Sequence, residues 1–305
     1  MNLSRFAKKA ASKFLLSKQT FRSFQKFGLS LVRTRESPIP NIRLLRQRDD
    51  LWSRESELVG IDMNVDGQLA MLNQVFRLYK EECDFPKSQS NTPHEFYVYN
   101  DSFGLISAIT LHSIIRHFKP RTILETGSGN STFVSARASL MNQGDGYETN
   151  LIAIEPHPRE VHRQGFPGLT SLIQSPVESL DLSLFSDLVP NDILFIDGSH
   201  YVKIGGDVNF LFLEVFPRLQ SGVFVHIHDI FLPFEYPKKW IQEDHTFYSE
   251  QPLLQAFLMY NRTFEVLWAE RYMKTKYPKE CEVAFSNLLG DKENHQSNSF
   301  WMRRV

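Results

Sequence analysis

From about residue 100 onward the chain alternates short, continuously apolar runs with longer segments whose apolar residues recur at helical spacing. "TILET", "NLIAIEP", "TSLIQS", "DILFIDG", "SGVFVHIHDI" and "FEVLWAE" read as strands, and "SNSFWMRRV" as a closing edge strand. Between them, "SFGLISAITLHSIIRHFKP", "STFVSARASLMNQ", "HPREVHRQ", "KIGGDVNFLFLEVFPRL" and "QPLLQAFLMYN" read as helices, and "VESLDLSLFSDL" as a weak helix or turn. Strands without apolar–polar alternation are buried on both faces, and helices between them cover those faces. The pattern therefore predicts an α/β fold, a doubly wound and mostly parallel sheet of about seven strands. Upstream, "DGQLAMLNQVFRLYKEE" carries a stripe through Leu69, Leu72, Val75, Phe76 and Tyr79 that predicts a helix. Pro38 and Pro40 in "ESPIPNIRLL" favour an extended connector. The expected division is a basic segment over 1–46, a helical support or lid over 47–100, and the α/β body over 101–305.

In such sheets a ligand lies beyond the carboxyl ends of the strands, near the switch point. The polar residues that interrupt the apolar runs sit there. Glu125 follows "TIL", Glu155 follows "IAI", Asp197 follows "LFI", and His228 and Asp229 follow "FVHI". Four successive strand ends with acids or histidines are not expected of a sheet that only packs.

The first of these ends leads into "GSGNS", a turn between a strand and a helix. Gly127 and Gly129 allow close approach of the backbone to a ligand, and Ser131 stands where a helix begins. A dinucleotide fingerprint wants a third glycine, but Thr132 is found there, and no Lys of a P-loop follows. Glu155 is placed to accept the two hydroxyls of a ribose, and Glu125 to face the amino-acid part of a ligand. With no pyrophosphate to hold, the arrangement points to S-adenosylmethionine (SAM).

"ILETGSGNST" resembles the first motif of class I SAM-dependent methyltransferases, with a Rossmann-like sheet, and "IAIEP" resembles the acidic strand end that follows it. The resemblance runs over roughly residues 100–305. It implies a cofactor site of Glu125, Gly127, Ser128, Gly129, Ser131, Glu155 and Pro156. "FIDGSHYVKIGGDVNFLFLEVFPRLQSGVFVHIHDIFLP" resembles more closely a branch with metal-dependent sugar O-methyltransferases, and the region from "SPIP" through "LWSRESELVGIDMN" is similar to the leading region of bacterial, largely uncharacterised proteins of that type. In that branch the Asp of an Asp-Gly-x-His turn binds a divalent cation and the His is the general base, which correspond to Asp197 and His200. Two adjacent acids complete the ligand set; here His228 and Asp229 stand in their place. The implied metal ligands are therefore Asp197, His228 and Asp229. The cation is Mg²⁺, Mn²⁺ or similar, and a histidine in the set suits Mn²⁺, Fe²⁺ or Zn²⁺ better than Mg²⁺.

Plainer readings stand beside these. Asp197-Gly198 also fits a simple turn, and His200 a cap or a backbone-bonded side chain. His226, deeper in its strand than His228 and on the same face, fits a satisfied core histidine. Phe231, Phe234, Tyr236 and Trp240 fit either an acceptor-facing wall or loop anchors. Two other classes remain open: an NAD(P)-linked oxidoreductase on the same kind of sheet, and a non-catalytic membrane-surface protein.

Charge changes the picture at one end only. The net charge is -1, yet residues 1–46 hold eleven of the 34 Lys/Arg and a single acid, Glu36. Phe6, Phe14, Phe21, Phe24 and Phe27 lie among those cations, as in a helix that rests on an anionic lipid surface, and peripheral membrane contact is the expectation for residues 1–35. Transit function and a covering surface helix are the other readings of this segment. Two distant cysteines argue against a disulfide framework, and no apolar run is long enough to span a bilayer. The expected enzyme is a cytoplasmic SAM-dependent methyltransferase acting on a glycan or other small hydroxylated acceptor, without a nucleic-acid partner; self-association stays open.

Overall fold

The computed structural model describes residues 18–30, 37–285 and 298–305. Seven strands form one sheet: β1 (Thr122–Thr126), β2 (Asn150–Ile154), β3 (Ser171–Ile173), β4 (Ile193–Ile196), β5 (Phe224–Ile227), β6 (Phe264–Ala269) and β7 (Phe300–Arg304). Their order is β3-β2-β1-β4-β5-β7-β6. The first five run parallel, and β7 runs antiparallel to both β5 and β6. The order reverses between β1 and β4, which makes their carboxyl ends the switch point.

The last strand departs from the expectation. β7 is not the edge; it pairs with β5 on one side and β6 on the other, and β6 takes the outer place. Its Phe300, Trp301 and Met302 are at most 1% exposed. Such a run demands cover on both faces, and an interior place supplies it.

Alternation along the strands divides the core between the faces. Ile123, Phe195, Phe224 and Trp301 pack on one side with the helix α1 (Leu105–Phe118). Leu124, Leu194, Ile196, Val225, Ile227 and Met302 pack on the other with Leu211, Val215 and Leu254. α1 is buried from Leu105 to Arg116, as an almost wholly apolar helix must be. It ends at Lys119, whose φ of 50° is left-handed, and Pro120 cannot continue it. The stripe predicted upstream also reaches the core. Val65–Ala70 is helical and widens into a π-type turn over Met71–Phe76, and Phe76 meets Trp268 edge-to-face at 4.9 Å.

The first helix after β1, α2 (Asn130–Gly144), is capped by Gly129 and not by the serine. Thr132 Oγ1 accepts from the Gly129 amide at 3.0 Å, while Ser131 lies inside the first turn with its hydroxyl turned to Glu125. Cys83 and Cys281 are both buried free thiols.

The chain divides into two compact units, Met1–Ser53 with Pro237–Phe247, and Arg54–Tyr236 with Tyr248–Val305. The smaller contains short helices at Lys18–Gln25, Ile42–Leu45, Asp49–Ser53 and Lys238–Gln242, and Lys238 Nζ pairs with Asp49 Oδ1 at 2.6 Å. Trp240 belongs to this unit. Of the segment expected at a membrane surface, 1–17 and 31–35 lie outside the described residues. The described part exposes Phe21, Phe27 and Leu29. No helix among the described residues is long and apolar enough to cross a membrane.

Candidate active site

The carboxyl ends of β1, β2 and β4 open onto a cleft of about 430 Å³. Thr126 and Gly127 line it from β1, Ile154, Glu155 and Pro156 from β2, and Asp197 and Gly198 from β4. Glu155 and Asp197 thus face one space. Val177 and Pro176 add apolar wall, and Glu178 and Lys203 add charge at positions that the strand-end pattern did not single out.

Gly127 is required by its surroundings. Its φ is +84°, and a Cβ there would lie 1.8 Å from the backbone oxygen of Asp197. The turn after β1 is therefore pressed against the end of β4, and its amide bonds the Ile154 oxygen of β2 at 2.9 Å. Glu155 is oriented by two amides, His157 N at 2.7 Å to Oε1 and Ser128 N at 3.4 Å to Oε2. A carboxylate oxygen accepts more than one hydrogen bond, so both keep capacity for hydroxyls. Ser128 Oγ is buried with no partner among the described residues. The Gly129 carbonyl is bonded by His162 Nε2 at 3.2 Å.

Glu125 and Ser131 are placed differently. They lie behind the turn and do not line the cleft. Glu125 is fully buried, and its Oε1 accepts from Ser131 Oγ at 2.6 Å and Thr132 Oγ1 at 2.9 Å. Burial pushes its pKa up to about 8 against the lowering effect of the two hydroxyls, with Asp197 adding to the rise. In this structure it ties β1 to the start of α2.

Beside the cleft, Asp197, His200 and Asp229 bring one ligand atom each within 4.8 Å of one another. His200 Nε2 is 3.2 Å from Asp197 Oδ1 and 3.8 Å from Asp229 Oδ2. Its Nδ1 is 2.8 Å from Oε2 of Glu250, a carboxylate with no exposed surface. Burial opposes the charged imidazolium, but the bonds to Asp197 and Glu250 and their negative charge prevail and hold the His200 pKa well above its ordinary value. Burial likewise raises Asp229, with the charge of Asp197 adding to the rise against His228, His200 and the Asn298 amide, which donates to its Oδ1 at 3.0 Å. Burial opposes ionisation of Asp197 too, yet His228 and His200 bring its pKa below the usual range.

Two backbone angles mark the same spot. His200 has φ of 61° and Asp229 of 56°, the left-handed region that side-chain-bearing residues rarely occupy. Such conformations persist where the surroundings hold them, often at functional sites.

His228 stands next to this cluster but outside it. Its Nε2 is 3.9 Å from Asp229 Oδ1, its ring lies over Phe103 at 4.9 Å, and neither ring nitrogen has a hydrogen-bond partner among the described residues. His226 is buried, stacks on Phe195 at 3.9 Å and places Nε2 3.0 Å from Ser299 Oγ. Tyr236 gives its hydroxyl oxygen to the Gln251 amide at 2.9 Å, an anchoring contact. Tyr248 lies over His200 at 4.5 Å and touches Tyr201 and Tyr236.

Glu250 and Tyr248 were not visible as site residues from the sequence. They follow no strand and belong to the segment that opens the helix Glu250–Leu258. Only the fold carries them back to His200.

A family model described as a methyltransferase domain matches residues 124–230, which includes every strand end that lines the cleft. A protein of Archaeoglobus fulgidus, described as an uncharacterized protein, is 34% identical over 163 residues, 52% of this chain and 72% of that protein. Among solved structures, CmcI with Mg-SAM is 18% identical over 64% of this chain and 68% of its own, with a TM-score of 0.33. CmcI in its apo form is 16% identical over 76% of this chain and 96% of its own, with a TM-score of 0.37. Likenesses at that level bear on neither substrate nor mechanism.

Proposed function

The chain belongs to the methyltransferase-domain family, and from that premise we propose that it transfers the methyl group of SAM to an oxygen of a saccharide or other small hydroxylated acceptor. The observation that carries the reading is the shared cleft of Gly127, Glu155 and Asp197, with the Asp197–His200–Asp229 cluster at its side. A volume of about 430 Å³ falls in the range of small-molecule sites. The residues fit the cofactor. Glu155 is aimed by two amides and keeps lone pairs for the ribose hydroxyls. Pro156 and Val177 give apolar cover for a base, and the turn at Gly127, Ser128 and Gly129 keeps backbone close to the ligand. Glu125 and Ser131 support this turn from behind.

Methyl transfer is an in-line displacement. The acceptor oxygen bonds to the methyl carbon as the carbon–sulfur bond breaks, and the electron pair stays on sulfur to give S-adenosylhomocysteine. The enzyme has to align the two partners and take the hydroxyl proton. The buried cluster of Asp197, His200 and Asp229 supplies groups for that proton beside the cleft. A divalent cation held there would lower the hydroxyl's pKa. Tyr248 and Tyr201 offer ring faces against which a sugar could lie.

Calorimetry of the full chain with SAM and with S-adenosylhomocysteine tests the reading. Both should bind, and Glu155→Ala should weaken both by at least about 10-fold, the loss of a charge-assisted hydrogen-bond pair. A folded protein that binds neither removes the proposal. Unchanged affinity in Glu155→Ala would mean that the ribose lies elsewhere.

A further inference from the structure

We propose that Asp197, His200 and Asp229 are the inner ligands of a transition-metal dication, and that Glu250 is the outer carboxylate that makes His200 a ligand. The inference deepens the methyl-transfer reading by assigning its cation, although its test does not depend on turnover. It also changes the expected set, in which His228 was a ligand and His200 the base.

The argument is geometric. A metal-bound imidazole donates its other N–H to a carboxylate, carbonyl or water, which fixes the tautomer and the ring orientation. His200 has that arrangement: Nδ1 is 2.8 Å from Glu250 Oε2, and Nε2 points between two aspartates, 3.2 Å from Asp197 Oδ1 and 3.8 Å from Asp229 Oδ2. With the proton on Nδ1, one neutral nitrogen and two carboxylate oxygens converge, all within 4.8 Å of one another. Contraction of that triangle around an ion needs small side-chain rotations and no rebuilding of the backbone.

Three features separate this cluster from a chance meeting of acids. Both His200 and Asp229 adopt left-handed φ, so the fold holds them against their intrinsic preference. Glu250 is wholly buried, its Oε1 has no partner among the described residues, and its Oε2 meets His200. His228, 2% exposed, also has two unpartnered ring nitrogens, with Nε2 3.9 Å from Asp229 Oδ1. Buried polar atoms are normally paired, and the exceptions mark functional sites. In this arrangement His228 is the neighbour that an additional ligand of the ion, water or acceptor oxygen, would meet.

The donor set then selects the ion. Mg²⁺ demands oxygen ligands in near-ideal octahedral geometry. One imidazole with two carboxylates suits Mn²⁺, Fe²⁺, Co²⁺ or Zn²⁺. With Nε2 given to the metal, His200 holds the cation instead of taking the acceptor's proton, which goes to a carboxylate of the same cluster.

The test is Mn²⁺ binding to the chelator-treated full chain, followed by calorimetry and by the nitrogen coupling of bound Mn²⁺ in electron spin-echo spectra. One Mn²⁺ per chain should bind, at least about 100-fold tighter than Mg²⁺, with an imidazole nitrogen signature. Glu250→Gln, which keeps size and shape, should weaken Mn²⁺ by about 10- to 100-fold. His200→Ala should abolish the nitrogen signal, and His228→Ala should leave it. No Mn²⁺ binding by the wild-type chain overturns the proposal. So does a nitrogen signal lost in His228→Ala and kept in His200→Ala, or Mn²⁺ affinity unchanged in Glu250→Gln. SAM calorimetry on the same samples separates the two readings: SAM binding without Mn²⁺ binding removes the metal centre and leaves the methyltransferase reading, whereas Mn²⁺ binding without SAM binding does the reverse.

Discussion

Two clusters of buried charge lie at opposite ends of the sheet, and their hydrogen bonding differs. At the end of α1, four residues before β1 begins, Arg116 divides its guanidinium among Glu82 (2.7 and 3.1 Å), Asp145 (2.8 Å) and Asn142. His112 joins Glu82 at 3.0 Å, and burial drives its pKa down to about 4. Its Nδ1 is the one atom of that group without a partner among the described residues. At the carboxyl end, Glu250 Oε1 and both nitrogens of His228 are unpartnered, and His200 and Asp229 hold left-handed backbone. The first cluster uses its hydrogen-bonding capacity to fasten α1 to α2 and to the residues before α1. The second keeps capacity in reserve next to a cleft. Burial alone does not distinguish structure from function here; unspent donors and acceptors do.

The sharpest way to break that contrast is to neutralise one member of each cluster. Asp229→Asn retains shape and the Asn298 contact but removes a charge beside the reacting centre. Methyl transfer should fall by about 10⁴-fold, the upper part of the range for loss of acid–base or electrostatic assistance. SAM affinity should stay within about threefold, because Asp229 does not line the cleft. Initial rates with a turnover-competent acceptor, read with calorimetry, check both halves, and a fall of less than tenfold would place the chemistry elsewhere. Arg116→Met should have the opposite profile. It strands Glu82 and Asp145 and should cost about 3 kcal/mol in urea unfolding, while the folded fraction retains its SAM affinity. A neutral effect on stability would mean that the network is ornamental.

Glu125 stands between the two classes, since it is buried at the site yet bonded like a structural group. Its pKa of about 8 in the folded protein lies above the ordinary value of 4.5. Between those values the folded state keeps a proton that the unfolded state has released, so unfolding free energy should decline as pH rises through this window. The slope from this group alone is at most about 1.4 kcal/mol per pH unit. Glu125→Gln cannot ionise, so its stability profile from pH 5 to 8 should be flatter than that of the wild type by up to that slope. Identical slopes in denaturant titrations would show that Glu125 is already ionised, and hence closer to solvent or to a cation than its burial implies.

How much of this was legible in the sequence follows from the range of each interaction. The strand ends Glu155, Asp197 and Asp229 could be read because a parallel strand announces itself locally, and whatever follows it lies at the carboxyl edge. The same logic placed His226 and His228 on one face. It could not tell that Glu125 would turn inward to Ser131 and Thr132, because a residue at the last positions of a strand has either face open to it. It could not find Glu250, which reaches His200 from 50 residues away in sequence. The place of β7 failed for a related reason. Its apolar run shows that it is a strand, but the choice of β5 as partner depends on a pairing from Ile227 to Phe300 that no local pattern encodes.

The smallest expected effect calibrates the others. Arg218 and Glu214 form the same kind of guanidinium–carboxylate contact as Arg116 and Glu82, at 3.0 Å and i,i+4 spacing, but both side chains are about half exposed. Water already solvates each ion, so the pair gains little from meeting and loses side-chain freedom when it does. Arg218→Ala should therefore change stability by no more than about 0.5 kcal/mol, with no effect on SAM affinity. Arg218 Nη1 also donates to the Glu214 carbonyl at 2.6 Å, a contact that closes the last turn before β5. If the loss exceeds about 1 kcal/mol, the backbone contact and not the ion pair is the source, and Glu214→Ala, which removes the pair but keeps the carbonyl, should then be nearly silent.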